Sequence, residues 1–421
     1  MQSSIKLRLT VMNFLQFAVW GAYLTSMGRY LGTAGFGSEI GNFYAMQGLV
    51  SLFMPALMGI VADRWIPAQR LLGLCHMLAG MLMLGVFLYT QTDTPSYPTL
   101  FALYSLSVAF YMPTLALSNS VAYTSLDQAG LDLVKSFPPI RVFGTVGFIC
   151  TMIAVSLLGL EATSGQFAVS AIISLVLAVY AQTLPNCPTA PKGQSKSLVE
   201  ALGLRAFVLF KQRKMALFFI FSMLLGVSLQ ITNGFANPFI STFGEIPAYA
   251  DTFGVKYANI LISLSQLSET LCILLIPFAL RRFGIRRVML IAMVAWVLRF
   301  ALLGLGNPGS GVWLFLLSMI VYGVAFDFFN VSGSLFVDKE TDPSIRSSAQ
   351  GLFMIMTNGI GATLGSLGAQ AVINHFVHTE HDTTAILAGW SMSWYIFATY
   401  AAVVAVLFAV LFRYNTATEA K

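Results

Sequence analysis

Apolar residues run along this chain in blocks of about twenty, enough to cross a hydrocarbon slab of about 30 Å at about 1.5 Å per residue. The blocks fall at 9–32, 41–62, 71–90, 98–122, 141–160, 166–184, 212–240, 256–279, 287–306, 311–335, 347–373 and 388–412. The pattern therefore predicts twelve transmembrane helices. Short polar stretches separate them, except for a longer loop that leaves six spans on each side. The expected organisation is an N-terminal six-helix bundle over 1–184, a cytoplasmic inter-domain loop over 185–211 and a C-terminal six-helix bundle over 212–421. The first block outruns the short apolar core of a signal peptide and reads as a retained helix.

Composition agrees with the pattern. Of 421 residues, 57% are hydrophobic and 10% charged, with a mean hydropathy of +0.78. Soluble domains carry about 25% charged residues, so a soluble enzyme with an outsized core does not fit. The formal charge of +6 raises the question of a nucleic-acid partner, but its distribution answers it. With the amino terminus inside, Lys6, Arg8, Arg64, Arg70, Lys135, Lys192, Lys196, Arg205, Arg281, Arg282, Arg286, Arg287, Arg346 and Lys421 all fall on the cytoplasmic side. Little more than Arg29 and Lys256 is left outside. Such asymmetry orients a polytopic protein in its bilayer and places both termini in the cytoplasm. Cys75, Cys150, Cys187 and Cys272 lack pair spacing, so neither a disulfide framework nor a metal site is expected. His375, His378 and His381 are explained by a solvated outer loop. No cofactor and no nucleophile–base group is indicated.

The halves echo each other. VAF occurs at Val108–Phe110 and Val324–Phe326, in the fourth and tenth spans. PPIR at Pro138–Arg141 is matched by PSIR at Pro343–Arg346, opening the fifth and eleventh. The shared order points to a duplicated six-helix unit, an arrangement suited to alternating access.

Polar residues inside the spans carry the chemistry. A charge at the centre of a span costs about 2.5–3.5 kcal/mol on insertion scales, so it should face protein or a water-filled cavity. Asp327, in VYGVAFDFFNVSGSLFV, is the clearest case, followed by Glu269 in QLSETLCILLIPF. Their neighbours form stripes at helical spacing. Gln230, Asn233 and Asn237 lie on one face of the seventh span, and Gln266 and Glu269 on one face of the eighth. Asn13, Gln16 and Trp20 share a face of the first; Arg141, Thr145 and Phe148 share one of the fifth. The tenth offers Tyr322 and Phe326, with Asp327 beside the second. An amide donates and accepts at once, a carboxylate takes sugar hydroxyls, and an aromatic face stacks on a flat ring. Polar glue between helices explains one such stripe more easily than several. The residues alone thus point to a polar solute, with nucleoside and sugar both open.

Three further residues have competing readings. Arg141 either snorkels at the cytoplasmic boundary or, if its helix starts earlier, reaches a cavity. Arg299 is expected to form a structural pair within the C-terminal half, and His76 to be a packed neutral imidazole rather than a proton relay.

With these residues in place, the sequence resembles the nucleoside:proton symporter family of the major facilitator superfamily, over essentially its whole length. FMPALMGIVADRW, AFYMPTLALSNS, DLVKSFPPIRVFGTVGFI, FFIFSMLLGVSLQITNGFANPF, SQLSETLCILLIPF and IRSSAQGLFMIMTNGIG carry the likeness most specifically. The resemblance implies an all-α membrane protein of twelve helices, importing nucleosides with protons across the bacterial inner membrane. Two six-helix bundles can form a complete pathway within one chain, so a functional monomer is expected. It implies substrate binding by Arg141, Thr145, Phe148, Gln230, Asn233, Gln266, Glu269, Tyr322, Phe326 and Asp327, with Asp327 and Glu269 as candidates for proton coupling. It also favours the cavity reading of Arg141. One departure is Trp65, which stands where the superfamily's loop motif has glycine after Asp63–Arg64. A proton-coupled sugar or oligosaccharide symporter of the same fold is the closest alternative.

Overall fold

The computed structural model describes residues 2–189, 204–342 and 345–414. The middle of the expected loop with Lys192 and Lys196, Pro343 of the PSIR match, and Lys421 lie outside them. Every regular element among the described residues is helical: α1 (Gln2–Gly21), α2 (Met27–Thr33), α3 (Ile40–Ser51), α4 (Met54–Arg64), α5 (Ala68–Tyr89), α6 (Tyr97–Gln128), α7 (Leu133–Leu157), α8 (Gly165–Ala181), α9 (Arg213–Thr242), α10 (Ala258–Leu305), α11 (Val312–Glu340), α12 (Arg346–Met354), α13 (Ala362–Phe376) and α14 (Thr383–Leu411), with 3-10, π and one-turn helical pieces between some of them.

Nine helices among the described residues are long and apolar enough to cross a membrane. They are Gly37–Arg64, Ala68–Tyr89, Tyr97–Gln128, Lys135–Leu157, Arg213–Glu245, Ala258–Leu305, Val312–Glu340, Ser348–Phe376 and Thr383–Leu411. The 48 residues of α10 bend at Gly284, whose φ of 75° is open only to glycine without strain. The expected eighth and ninth spans meet at that bend, between Arg281–Arg282 and Arg286–Arg287. Arg286 then donates from Nε to Phe412 O at 2.6 Å and from Nη2 to Ala409 O at 2.7 Å. A cation there satisfies the last carbonyls of α14.

Several boundaries differ from the sequence pattern. The first block breaks over residues 22–26, and the second between Ser51 and Met54, where Pro55 opens α4. The fifth begins at Leu133, two turns before Arg141, and runs through Pro138 and Pro139. A π-helical stretch, Ile355–Gly361, lies within the eleventh.

The chain divides into two compact units. One comprises Met1–Phe36 and Leu49–Leu202, the other Gly37–Gly48 and Gly203–Lys421. The short stretch from the first half joins the second unit through specific bonds. Gln370 Nε2 donates to Gly37 O at 3.1 Å, and Thr363 Oγ1 to Ala45 O at 3.3 Å.

Equivalent helices pack alike within the two units. A Cβ on Gly147 would stand 2.1 Å from Phe14 O, so α7 lies backbone to backbone on α1. In the second unit a Cβ on Gly365 would stand 2.0 Å from Val227 O, so α13 lies the same way on α9. Small residues permit such approach where lipid supplies no hydrophobic drive between helices.

Candidate solute-binding residues in each unit

In the first unit, the close fit of α7 on α1 sets the geometry. The Arg141 guanidinium carbon lies 4.1 Å from the centroid of the Phe17 ring. Because α7 starts two turns earlier, Arg141 sits inside the helix, which meets the condition set for its cavity reading. Thr145 follows one turn on and is half-buried; Phe148 is buried. Trp20 meets the Phe148 ring edge-on at 6.4 Å and the Tyr111 ring at 6.0 Å. The Trp20 indole nitrogen is buried and makes no hydrogen bond among the described residues.

Behind this aromatic face lies a closed polar circuit. Gln16 donates from Nε2 to Thr114 Oγ1 at 2.7 Å, which turns its carbonyl oxygen toward His76 Nε2 at 2.8 Å. An amide oxygen only accepts, so His76 donates there. Its Nδ1 lies 2.9 Å from Ser174 Oγ. Tyr111 donates to Gln16 O at 2.9 Å. His76 is fully buried with both ring nitrogens engaged, the packed imidazole expected of it.

In the second unit, α9 presents its amides in two groups. Asn233 Nδ2 donates to Gln230 Oε1 at 2.7 Å, and Gln230 Nε2 lies 3.4 Å from Gln47 Oε1. Asn237 is fully buried and donates from Nδ2 to Asn259 Oδ1 at 3.0 Å. The predicted stripe therefore splits: Gln230 and Asn233 form one pair, and Asn237 ties α9 to α10.

The first half of α10 meets α11 closely, with Ser268 Oγ donating to Ile320 O. That contact brings two carboxylates together. Glu269 and Asp327 interact electrostatically, and both act on the Tyr322 hydroxyl. Asp327 is buried, and its Oδ2 makes no hydrogen bond among the described residues; nor does Gln266 Oε1. Tyr322 stacks on Phe326 at 5.7 Å with only 4° between the rings. Trp296 closes on Tyr322 edge-on at 5.9 Å, and the Arg299 guanidinium carbon lies 4.5 Å from the Tyr322 centroid.

A family model described as "Nucleoside H+ symporter" matches residues 3–417. The chain belongs to the nucleoside H+ symporter family. It is 50% identical to the xanthosine permease of Escherichia coli (strain K12) over 415 residues, covering 98% of this chain and 97% of that one. It is 46% identical to the nucleoside permease NupG of the same strain, also over 415 residues, with the same coverage. A crystal structure of the nucleoside transporter NupG superposes with a TM-score of 0.89 at 45% identity, covering 98% of this chain and 100% of the other. An auto-inhibited peptide transporter of the POT family, at 15% identity and a TM-score of 0.69, shares the fold alone; it covers 98% of this chain and 97% of its own. The family is one of transporters, not enzymes, and the fold is of the major facilitator type.

Within this family member, the structure brings Glu269, Tyr322, Phe326 and Asp327 together, pairs Gln230 with Asn233, and aligns Arg141, Thr145 and Phe148 on α7. Sequence reasoning overlooked Phe17 and Gln47. Phe17 follows Gln16 in an apolar helix and has no pattern that singles it out. Gln47 carried a signal, since it is one of two amides, with Asn42, in the otherwise largely apolar IGNFYAMQGLVS. Arg299 makes its structural contacts within the C-terminal half, to the Ser318 carbonyl and the Tyr322 ring.

Proposed function

We propose that this protein is a proton-coupled symporter that imports purine and pyrimidine nucleosides across the bacterial inner membrane by alternating access, working as a monomer. Twelve crossings support that mechanism. α10 bends at Gly284 into two, and α1 and α8 join the other eight long apolar helices. Both termini are then cytoplasmic, as the arginines flanking Gly284 favour.

The observation that carries the reading is the buried Asp327 carboxylate, one oxygen of it without a hydrogen bond, beside Glu269 and a stacked tyrosine–phenylalanine pair. Carboxylates accept the hydroxyls of ribose, and flat aromatic faces stack on a base. Gln230, Asn233 and Gln266 supply directional bonds to the base edge; in the first unit by itself, Arg141 and Thr145 offer polar groups and Phe148 an apolar face for solute. Two neighbouring carboxylates repel each other, and one proton removes that repulsion. Proton binding at Asp327 or Glu269 is thereby linked to the charge state in which solute is held.

The test is uptake of radiolabelled uridine into proteoliposomes under an inward proton gradient. Accumulation should collapse with a protonophore and be competed by adenosine. Uptake indifferent to the gradient, or competed by a disaccharide and not by adenosine, overturns the reading.

A further inference from the structure

We propose that Arg299 is a positioning residue for nucleoside recognition, holding the Tyr322 ring, and with it the Tyr322–Phe326 stack, in the orientation that receives the solute. The proposal rests on the reading that Tyr322 belongs to the binding site.

Arg299 is 2% exposed, deep in the second half of α10. Guanidinium stays charged at any physiological pH. A buried arginine needs partners that offset its desolvation, whether a carboxylate or backbone carbonyls. Here no carboxylate lies within ion-pairing distance among the described residues. Nη1 instead donates to Ser318 O at 2.8 Å and reaches Ser265 Oγ at 3.4 Å, while Nε has no hydrogen-bond partner. The charge is therefore met mainly by one carbonyl and by the Tyr322 ring. A cation over an aromatic face is held by the ring quadrupole, most strongly where water is excluded.

The rest of the arrangement fixes the direction of that ring. Ser318 Oγ donates back to Arg299 O at 3.0 Å, so two reciprocal bonds lock the register of α10 against α11. Ser318 and Tyr322 are i and i+4 on α11, so the lock lies one turn below the ring it orients. Trp296, one turn before Arg299 on α10, closes the remaining edge. Tyr322 is thus clamped by a cation and an indole, with the stacked Phe326 ring beside it.

The experiment compares Arg299→Met, Arg299→Lys, Tyr322→Leu and the double variant R299M/Y322L in proteoliposomes with matched amounts of folded protein. R299M keeps an apolar side chain and removes the charge. Its KM for uridine should rise about tenfold with the maximal rate nearly unchanged. In the Y322L background, R299M should add nothing, because the ring it positions is gone. R299K retains the cation and should bring KM back to within about threefold of the parent.

Effects of R299M and Y322L that multiply overturn the proposal, as does a loss of folded R299M with KM unmoved. If R299M fails to accumulate in the membrane, R299K decides: a KM raised as far as in Y322L overturns the proposal. An unchanged KM in Y322L alone removes Tyr322 from the site and takes the proposal with it. A raised KM in Y322L with an independent Arg299 effect refutes only the positioning role.

Discussion

Each unit buries a polar cluster, around His76 in the first and around Asp327 with Glu269 in the second, and the clusters differ in how completely they are bonded. His76 in the first unit has a partner for each ring nitrogen, and Gln16 beside it is committed to Thr114. Asp327 in the second unit keeps one buried oxygen without a hydrogen bond among the described residues, and Gln266 keeps another. A buried polar group that is fully bonded stabilises and specifies a fold, whereas one left open costs free energy wherever no ligand meets it. The difference separates a structural circuit from a binding surface more reliably than residue type does. Sequence pattern alone put both clusters in polar stripes.

The largest effect that tests this contrast is expected at Asp327. Asp327→Asn should preserve insertion and lower uridine uptake on the order of a hundredfold, since a hydrogen bond to a charged group is worth about 1.5–3 kcal/mol. Uptake in membranes with equal amounts of protein measures it, and normal accumulation ends the assignment. Next come the paired amides. Gln230→Ala or Asn233→Ala should raise KM for nucleosides about five- to tenfold; the double variant should fall short of the product, because the two side chains are bonded to each other. Independent effects would mean that the pair does not act as one unit.

The first unit should respond in the opposite currency. His76→Leu leaves the Gln16 carbonyl oxygen short of a partner, while Ser174 keeps its bond to the backbone carbonyl of residue 76. The change should cost about 2 kcal/mol of stability, read as a lower thermal midpoint in detergent. KM of the surviving protein should not move. A shifted KM at matched folding would erase the distinction between the clusters.

The smallest effect is expected outside both. In the loop between α9 and α10, Lys256 Nζ lies 2.8 Å from Asp251 Oδ1. The hydrogen bond and charge of Lys256 hold the Asp251 carboxyl below its usual 3.8. A depressed carboxylate contributes above its unfolded value and loses that contribution as pH falls through the folded one. Both side chains are well exposed, so salt screens the pair. Asp251→Asn should leave KM unchanged and lower the neutral-pH thermal midpoint only slightly, and that small difference should vanish in strongly acid conditions, where the parent's own carboxyl is protonated. A neutral-pH change as large as that of His76→Leu would show that this loop does more than cover a turn.

Much of the helical layout was legible from the chain because a bilayer permits few alternatives. Runs such as Ala68–Tyr89 and Thr383–Leu411 are apolar over the required length and end where polar residues begin. The breaks were harder to read. Residues 22–26 are no less apolar than their surroundings, and the gap between Ser51 and Met54 is marked only by Pro55. The start of α7 was obscured by Pro138 and Pro139, which ordinarily signal a boundary yet lie inside the helix. That error mattered, because it left the place of Arg141 undecided.

Side-chain company was less legible still. Gln47 stands 183 positions before Gln230, the residue it meets, and no local pattern spans that distance. Asn237 shared a face with Gln230 and Asn233 but turned to Asn259. Arg299 was expected to pair within the C-terminal half, but nothing local named Ser318 and Tyr322 as its partners.

The sequence by itself determined that this is a polytopic helical membrane protein with internal echoes, and that Asp327 and Glu269 need a reason to lie within its spans. Transfer free energy settles such matters residue by residue, so they can be read locally. Only the tertiary structure decided which buried polar atoms are satisfied and which are left open. That depends on hydrogen-bond geometry between residues far apart in the chain, and tenths of an ångström in helix packing set it.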